Sequence, residues 1–377
     1  MKVLVTGSKG FIGSNLCLAL RAKNHEVFEF DLDVSDNVLR SFVAQADFII
    51  HLAGINRSLN PEEFVNGNIN FTKKLLDSVK EAGSEAPIIF SSSTQAELDN
   101  PYGRSKKAAE DEIFGFAKKT NHPVFVYRLY NVFGKWCRPN YNSVVATFCY
   151  NVANGFPLQI NKDAPAIDFV YIDDILTEFN KVLDGFVTPG LEIKHVEPHY
   201  TEKLEDLASA LTSFKKSREN LLVPELKDGF LKKLYSTYLS YLPDDQFSYY
   251  LITHSNPKGS FTEAFKTPTY GQVSINVSKP GVTKGNHYHM SKNEKYLVVT
   301  GTCEIKFRKV GTDKVFSYTS SGKNLQVVDI PPGYTHCITN VGKEDSVTVV
   351  WANELFDANK PDTFFLPVEE ETKGVNK

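Results

Sequence analysis

The chain reads as two folds in series: an α/β half built on a doubly wound parallel sheet, then an all-β barrel. Three observations predict this. Up to residue 244, short apolar runs alternate with longer segments of helical periodicity. From residue 245 onward the chain is rich in β-branched and aromatic residues, with turn signals every few positions. Its 377 residues also exceed what one ordinary core holds. The expected domains are residues 1–244 and 245–377.

In the first half, KVLVT (Lys2 to Thr6) predicts a strand and the segment from Phe11 to Lys23 a helix. Further strands are expected near Val27 to Asp31, Phe48 to Leu52, Ile88 to Ser91 and Phe125 to Arg128. In the second half GQVSINVS, EKYLVVTG, CEIKFRKV, LQVVDIPPG and SVTVVW read as strands of a small barrel or jelly roll. The segment LYSTYLSYLPDDQFSY reads as the bridge between the halves.

Composition excludes some functions. A formal net charge of -3 without a long basic run argues against a nucleic-acid partner. No run approaches the roughly 20 apolar residues of a membrane span. The start, MKVLVTG, lacks the apolar region and cleavage site of a signal peptide. Five scattered cysteines without CxxC spacing point to reduced thiols and a cytoplasmic protein.

TGSKGFIG, from Thr6 to Gly13, places Gly7, Gly10 and Gly13 after the first strand and at a helix start. A helix N-terminus offers free N–H groups and partial positive charge to a pyrophosphate, and glycines let the backbone approach it. Thr6, Gly7, Lys9, Gly10, Phe11, Ile12 and Gly13 are therefore candidate dinucleotide contacts. In PYGRSK, Tyr102 and Lys106 lie four apart, on one face of a helix. A carbonyl accepting hydride on carbon needs a proton on oxygen. A tyrosine whose pKa is lowered by a nearby ammonium can give it. Lys9 suits the 2′-phosphate of NADP, whereas Asp31, ending the second strand, suits the ribose 2′-OH of NAD. The residues alone leave that choice open.

The GxxGxxG spacing resembles the extended short-chain dehydrogenase/reductase family, with its Rossmann-type fold. HLAG (His51 to Gly54), FSSST (Phe90 to Thr94) and FVYIDD (Phe169 to Asp174) add to the likeness. The resemblance implies that Leu52, Ala53 and Gly54 line the cofactor and that Tyr102 is the acid. It also implies that Lys106 holds the nicotinamide ribose and that Ser93 orients the carbonyl, with Ser92 second in line. Ser93 and Tyr102 are only nine apart, so the loop over the site must be trimmed or reshaped.

GVTKGNHYHMSKNEKYLVVTG (Gly281 to Gly301) and PPGYTHCITN (Pro331 to Asn340) resemble the two motifs of the cupin superfamily. Residues two apart on a strand face the same way, so His287 and His289 can both point inward. With Glu294 from the next strand and His336 from a distant turn, they make a donor set for one divalent metal. Zinc is the expected ion; iron, manganese and nickel also suit cupins. KGSFTE (Lys258 to Glu263) and the histidine segment resemble the deoxysugar 3,5-epimerases, whose basic histidine falls at His287. A metal-bound His287 cannot be a free base. Tyr288, Tyr296, Tyr334 or water then become the proton carriers, and a purely structural zinc is the competing account.

Over nearly its whole length the chain resembles the CapF family of capsular-polysaccharide enzymes. The likeness is densest in HLAGINR, NPYGRSK, FGKWCRPNYNS, LYSTYLSYL, KPGVTKGNH and PPGYTH. It implies a homodimer acting on a UDP-2-acetamido-2,6-dideoxy-4-hexulose. The barrel would epimerise C3, and the reductase would reduce the C4 ketone with NADPH to the L-talose sugar, en route to N-acetyl-L-fucosamine. NADH is the other possible donor, given Asp31. FGKWCRPNYNS is expected to hold the UDP-sugar, with Lys135 and Arg138 as diphosphate partners. The rival readings are a single-function reductase with a structural or sugar-binding cupin, a redox sensor, and a metal-dependent oxygenase.

Overall fold

A computed structural model describes residues 1–161, 163–227 and 229–369. The chain forms two compact units. The first comprises Met1–Thr212 and Lys227–Asp244; the second comprises Ser213–Leu226 and Asp245–Lys377.

The first unit carries strands β1 (Lys2–Thr6), β2 (Glu26–Phe30), β3 (Phe48–His51), β4 (Ile88–Ser93), β5 (Val124–Leu129), β6 (Asn131–Phe133), β7 (Ile167–Tyr171), β8 (Ile193–Lys194) and β9 (His199–Glu202). The main sheet has the order β2-β1-β3-β4-β5-β8 and is parallel throughout. The order reverses at β1, which creates the crevice beyond the carboxyl ends of β1 and β3. Alternation along each strand feeds two cores. Val3, Val5, Ile50, Ile89 and Phe125 pack on one face. Leu4, Ile49, Ile88, Phe90 and Val126 pack on the other. This is the expected doubly wound sheet. Strands β6, β7 and β9 form a small separate sheet. They are too short, and too polar in β9, to announce themselves by periodicity.

From Thr253 onward the described residues of the second unit hold strands and no helix. Its strands are β10 (Thr253–Asn256), β11 (Gly259–Thr267), β12 (Gly271–Ser278), β13 (Thr283–Tyr288), β14 (Glu294–Thr300) and β15 (Thr302–Lys309). They continue with β16 (Val315–Ser321), β17 (Val327–Ile330), β18 (Tyr334–Asn340), β19 (Ser346–Ala352) and β20 (Phe364–Phe365). They pair into two antiparallel sheets, β10-β11-β12-β19-β14-β17 and β16-β15-β18-β13-β20. Tyr296, Ile305, Phe307, Val328, Ile330 and Val350 form the core of this barrel. No helix among the described residues is long and apolar enough to cross a membrane.

Candidate active and metal sites

In the first unit, a cleft of ≈ 510 Å³ opens at the crevice beyond β1 and β3. Gly10 caps the helix Phe11–Ala22 without a side-chain cap, and its first turn holds no acidic residue. Its N-terminal N–H groups are left for an anion. A side chain at Gly13 would put a Cβ 2.1 Å from the Gly7 carbonyl oxygen, so only glycine lets the helix start against the loop. These features fit a dinucleotide pyrophosphate.

Gly7, Lys9, Gly10, Phe11, Ile12 and Gly13 line the cleft, as do Leu52 and Gly54 from the loop after β3. Three expected cofactor residues, Thr6, Ala53 and Asp31, are not among its walls. The Thr6 hydroxyl is engaged by His51 Nδ1 at 2.8 Å and accepts the Ala53 N–H. Asp31 accepts the backbone N–H of Lys9 at 2.8 Å and that of Leu32 at 2.9 Å. The Lys9 ammonium lies 2.5 Å from Asp33, a partner that sequence spacing did not suggest.

The catalytic candidates converge on the same cleft. Ser93, Tyr102 and Lys106 all line it. The helix Pro101–Thr120 is capped by Asn100, whose side chain accepts the Gly103 N–H, and Pro101 opens its first turn. That cap fixes where Tyr102 enters the site. The Ser93 hydroxyl lies near the Tyr102 phenol and favours its ionised form. Ser92, the other candidate, donates to buried Glu110 at 2.6 Å and serves the scaffold instead.

The expected lowering of the Tyr102 pKa is not what this geometry gives. Burial pushes the phenol up, and the nearby Ser93 hydroxyl only partly opposes it. The tyrosine is thus protonated at neutral pH, as a proton donor must be. Lys106 is buried, donates to the Ser91 carbonyl at 2.6 Å, and sits 4.6 Å over the Phe90 ring. Burial lowers its pKa to about 8, against the pull of Glu110 one turn along the helix. Reduction should therefore fall as pH rises through about 8, where Lys106 loses its charge. Glu110→Gln should move that limb to lower pH, checked by pH–rate profiles. Folding stability moves the other way. Between about 8 and the ordinary 10.5 the unfolded chain holds the extra proton, so the Lys106 contribution to stability rises with pH.

Asn68 has no counterpart in the sequence reading. It lies in a π-helical turn, Val65–Asn70, and is buried. Its amide accepts the Ile55 N–H at 2.7 Å and donates to Ser105 Oγ at 2.8 Å. It thereby ties the loop after β3 to the Tyr102 helix. The π turn was the only available signal, and it is invisible in sequence. Of the expected diphosphate partners, Arg138 lines the cleft, whereas Lys135 is paired with Asp173 at 2.6 Å.

In the barrel, His287, His289, Glu294 and His336 gather so that one donor atom from each lies within 4.8 Å of the others. His336 comes from β18, not from a turn, and pairs directly with His287 across β13 and β18. Glu294 comes from the opposite sheet, on β14. His289 Nδ1 lies 2.5 Å from the Asp362 carbonyl, and His336 Nδ1 3.3 Å from that of Tyr334. Those carbonyls fix both rings with Nε2 free. Both Nε2 atoms are buried with no hydrogen-bond partner, and each stands 3.6 Å from Glu294 Oε2. Burial and the neighbouring imidazoles bring the His287 pKa down to about 4, so it is neutral at pH 7, as a candidate ligand must be. Orphaned lone pairs facing a carboxylate fit a divalent cation.

His287 and Glu294 open onto a cavity of ≈ 340 Å³. Of the three tyrosines considered as proton carriers, Tyr296 alone lines it, and its hydroxyl donates to Glu294 at 3.0 Å.

Comparison with known proteins agrees with this division. Residues 3–188 match the NAD dependent epimerase/dehydratase family, and residues 254–364 match the polysaccharide biosynthesis C-terminal domain. A curated relative, UDP-2-acetamido-2,6-beta-L-arabino-hexul-4-ose reductase of Pseudomonas aeruginosa, is 46% identical over 98% of this chain and 100% of its own. The crystal structure of the capsular polysaccharide assembling protein CapF from Staphylococcus aureus superposes with a TM-score of 0.92 at 46% identity. That match covers 98% of this chain and 100% of the other. The chain belongs to the CapF family. A nicotinamide cofactor goes with the family of its first unit. Outside CapF proteins, that unit shares its fold with a UDP-glucose 4-epimerase of Thermus thermophilus solved with NAD. There the TM-score is 0.51 at 21% identity, over 64% of this chain and 99% of the other, and the likeness is one of fold alone.

Proposed function

We propose that the protein is a bifunctional UDP-sugar enzyme. Its barrel epimerises C3 of a UDP-2-acetamido-2,6-dideoxy-4-hexulose, and its first unit reduces the C4 ketone with NADPH. The product is UDP-2-acetamido-2,6-dideoxy-L-talose, on a route to N-acetyl-L-fucosamine for capsule or O-antigen. The observation that carries the reduction is the convergence of Ser93, Tyr102 and Lys106 on the glycine-walled cleft. The 46% identity to a named 4-ketose reductase supports the substrate class. We place the protein in the cytoplasm as a homodimer.

A reduced nicotinamide, when bound in the cleft, would supply hydride chemistry at the C4 ketone. Gly7, Gly10 and Gly13 with the helix N-terminus would hold its pyrophosphate, and Lys106 its ribose. Tyr102 gives its proton to the C4 oxygen, oriented by Ser93. Lys106, charged below about pH 8, stabilises the phenolate left behind. The Lys9–Asp33 pair bears on cofactor choice: Lys9 can meet a 2′-phosphate once it leaves Asp33.

In the barrel, His287, His289, Glu294 and His336 would hold the cation, with zinc the ion of choice. A bound divalent cation supplies Lewis-acid polarisation of a carbonyl oxygen. Because His287 is spent as a ligand, it is not the free base. His336→Ala should lower metal affinity by at least about tenfold, the smaller end of what even supporting residues cost. Metal analysis of the dialysed variant checks this, and full occupancy would mean a different ligand set.

Proton NMR of the protein with the UDP-4-keto sugar in deuterated water, before and after NADPH, tests the whole reading. Deuterium at C3 before NADPH, then a reduced sugar after it, is expected. Reduction without prior exchange would leave a single-function reductase with a structural or sugar-binding cupin.

A further inference from the structure

We propose that Lys284 is a catalytic residue of the barrel, the cation that meets an anionic oxygen of the UDP-sugar in the cavity. The inference rests on the proposed C3 epimerisation. Lys284 is three residues before His287, an odd offset that would put the two on opposite faces of a regular strand. A bulge cancels that offset. In the pairing of β13 with β18, Lys284 stands opposite Ile338, Gly285 opposite Cys337 and His287 opposite His336, leaving Asn286 as the extra residue. Ile338 and His336 are two apart, so Lys284 and His287 share the inner face, and both line the cavity.

The bulge is built into the residues. Gly285 has φ +105, and a Cβ there would stand 2.8 Å from the His336 carbonyl oxygen. Asn286 holds φ 58, a left-handed conformation that asparagine tolerates.

The surroundings of Lys284 suit an anionic ligand. Its ammonium is half-buried and donates to two backbone carbonyls, Val277 at 2.8 Å and Ser260 at 3.3 Å. An ammonium has three donors, so one remains. Of the three carboxylates that line the cavity, Glu263 pairs with Lys266 at 2.7 Å, Glu294 faces the histidines, and Glu354 makes no ion pair with Lys284. Lys284 makes no ion pair among the described residues. A cation without a counter-ion in a ligand-sized cavity awaits one from the ligand.

Two anionic oxygens of the substrate qualify. When the C3–H bond breaks, its proton leaves to a base in exchange with solvent. Its electron pair forms the C3–C4 double bond, and the carbonyl pair moves onto the C4 oxygen as an enolate. The other candidate is a diphosphate oxygen.

The test compares the full-length protein with Lys284→Met and Lys284→Arg, by initial rates of C3 deuterium uptake over a range of UDP-4-keto sugar. An enolate contact predicts a fall of about a hundredfold in kcat for Lys284→Met, the scale of losing one oxyanion donor. A diphosphate contact predicts a comparable rise in KM. In both cases Lys284→Arg recovers part of the loss, metal content is unchanged, and sugar pre-equilibrated by unaltered protein is still reduced normally. Exchange constants within twofold of the unaltered protein would overturn the assignment, as would loss of metal from both variants. No exchange in the unaltered protein would instead sink the epimerase reading. Lys284 is then judged by calorimetry with the UDP-sugar: loss of one of two binding sites in Lys284→Met supports it, and two intact sites overturn it.

Discussion

Tyr102→Phe is expected to cut NADPH-dependent reduction by about 10²–10⁴-fold, the usual worth of a positioned proton donor. The phenyl ring keeps the packing against Phe64. The hydroxyl near Ser93 is lost, and with it the proton for C4. The variant should still exchange C3 hydrogen with solvent at the unaltered rate, because the histidine–carboxylate cluster and its cavity lie wholly within the second unit. One NMR sample in deuterated water reads both activities. Loss of both would mean that the two sites do not work independently. Retention of reduction would remove Tyr102 from the chemistry.

The largest expected effect on stability comes from beneath that site. Glu110 is fully buried and accepts two hydrogen bonds from Arg128, at 2.8 and 2.7 Å, as well as that of Ser92. Removing one partner of such a pair leaves a charge in a low-dielectric interior. Arg128→Ala should therefore cost about 3–5 kcal/mol. Denaturant unfolding followed by far-ultraviolet dichroism measures this. The double variant Arg128→Met, Glu110→Leu should be much less destabilised, since no charge is then stranded. If the single variant lost under 1 kcal/mol, water would have to reach Glu110. The pair also joins β5 to the helix of Tyr102 and Lys106, so the double variant, though folded, should reduce more slowly.

The parallel sheet was legible because its strands are buried on both faces and read as apolar runs between helical stretches. The barrel strands β12, β14 and β19 were legible through residue type. Strand β13 was read only from the spacing of its histidines, and β18 was not read as a strand, since its residues YTHCITN are mostly polar and do not alternate cleanly. The same cause hid the place of His336, expected in a turn and found paired with His287. Lys284 escaped because alternation cannot be followed across a bulge. The resemblance ranked Ser93 ahead of Ser92; the third dimension adds a physical reason, since both end the same strand but Glu110 engages only Ser92. The glycines of the first loop were readable at once, because their spacing answers to sterics within a single turn.

The clamp on the candidate metal site has a consequence for how the protein is made. Asp362 accepts the N–H groups of Met290, Ser291 and Lys292 through its side chain, and its carbonyl holds His289. Burial raises this carboxyl's pKa, but those three N–H donors outweigh it and hold the group well below the usual carboxylate range. The turn between His289 and Glu294 is thus shaped by a residue translated after every ligand. On the ribosome, all four donor side chains exist before the piece that aims them. A nascent chain cut short of Asp362 would carry the ligands as loose chelators, open to whichever ion arrives first. On the proposed metal reading, selection of the ion would belong to the last stage of synthesis, and truncation before Asp362 should show itself as mismetallation before it shows as unfolding.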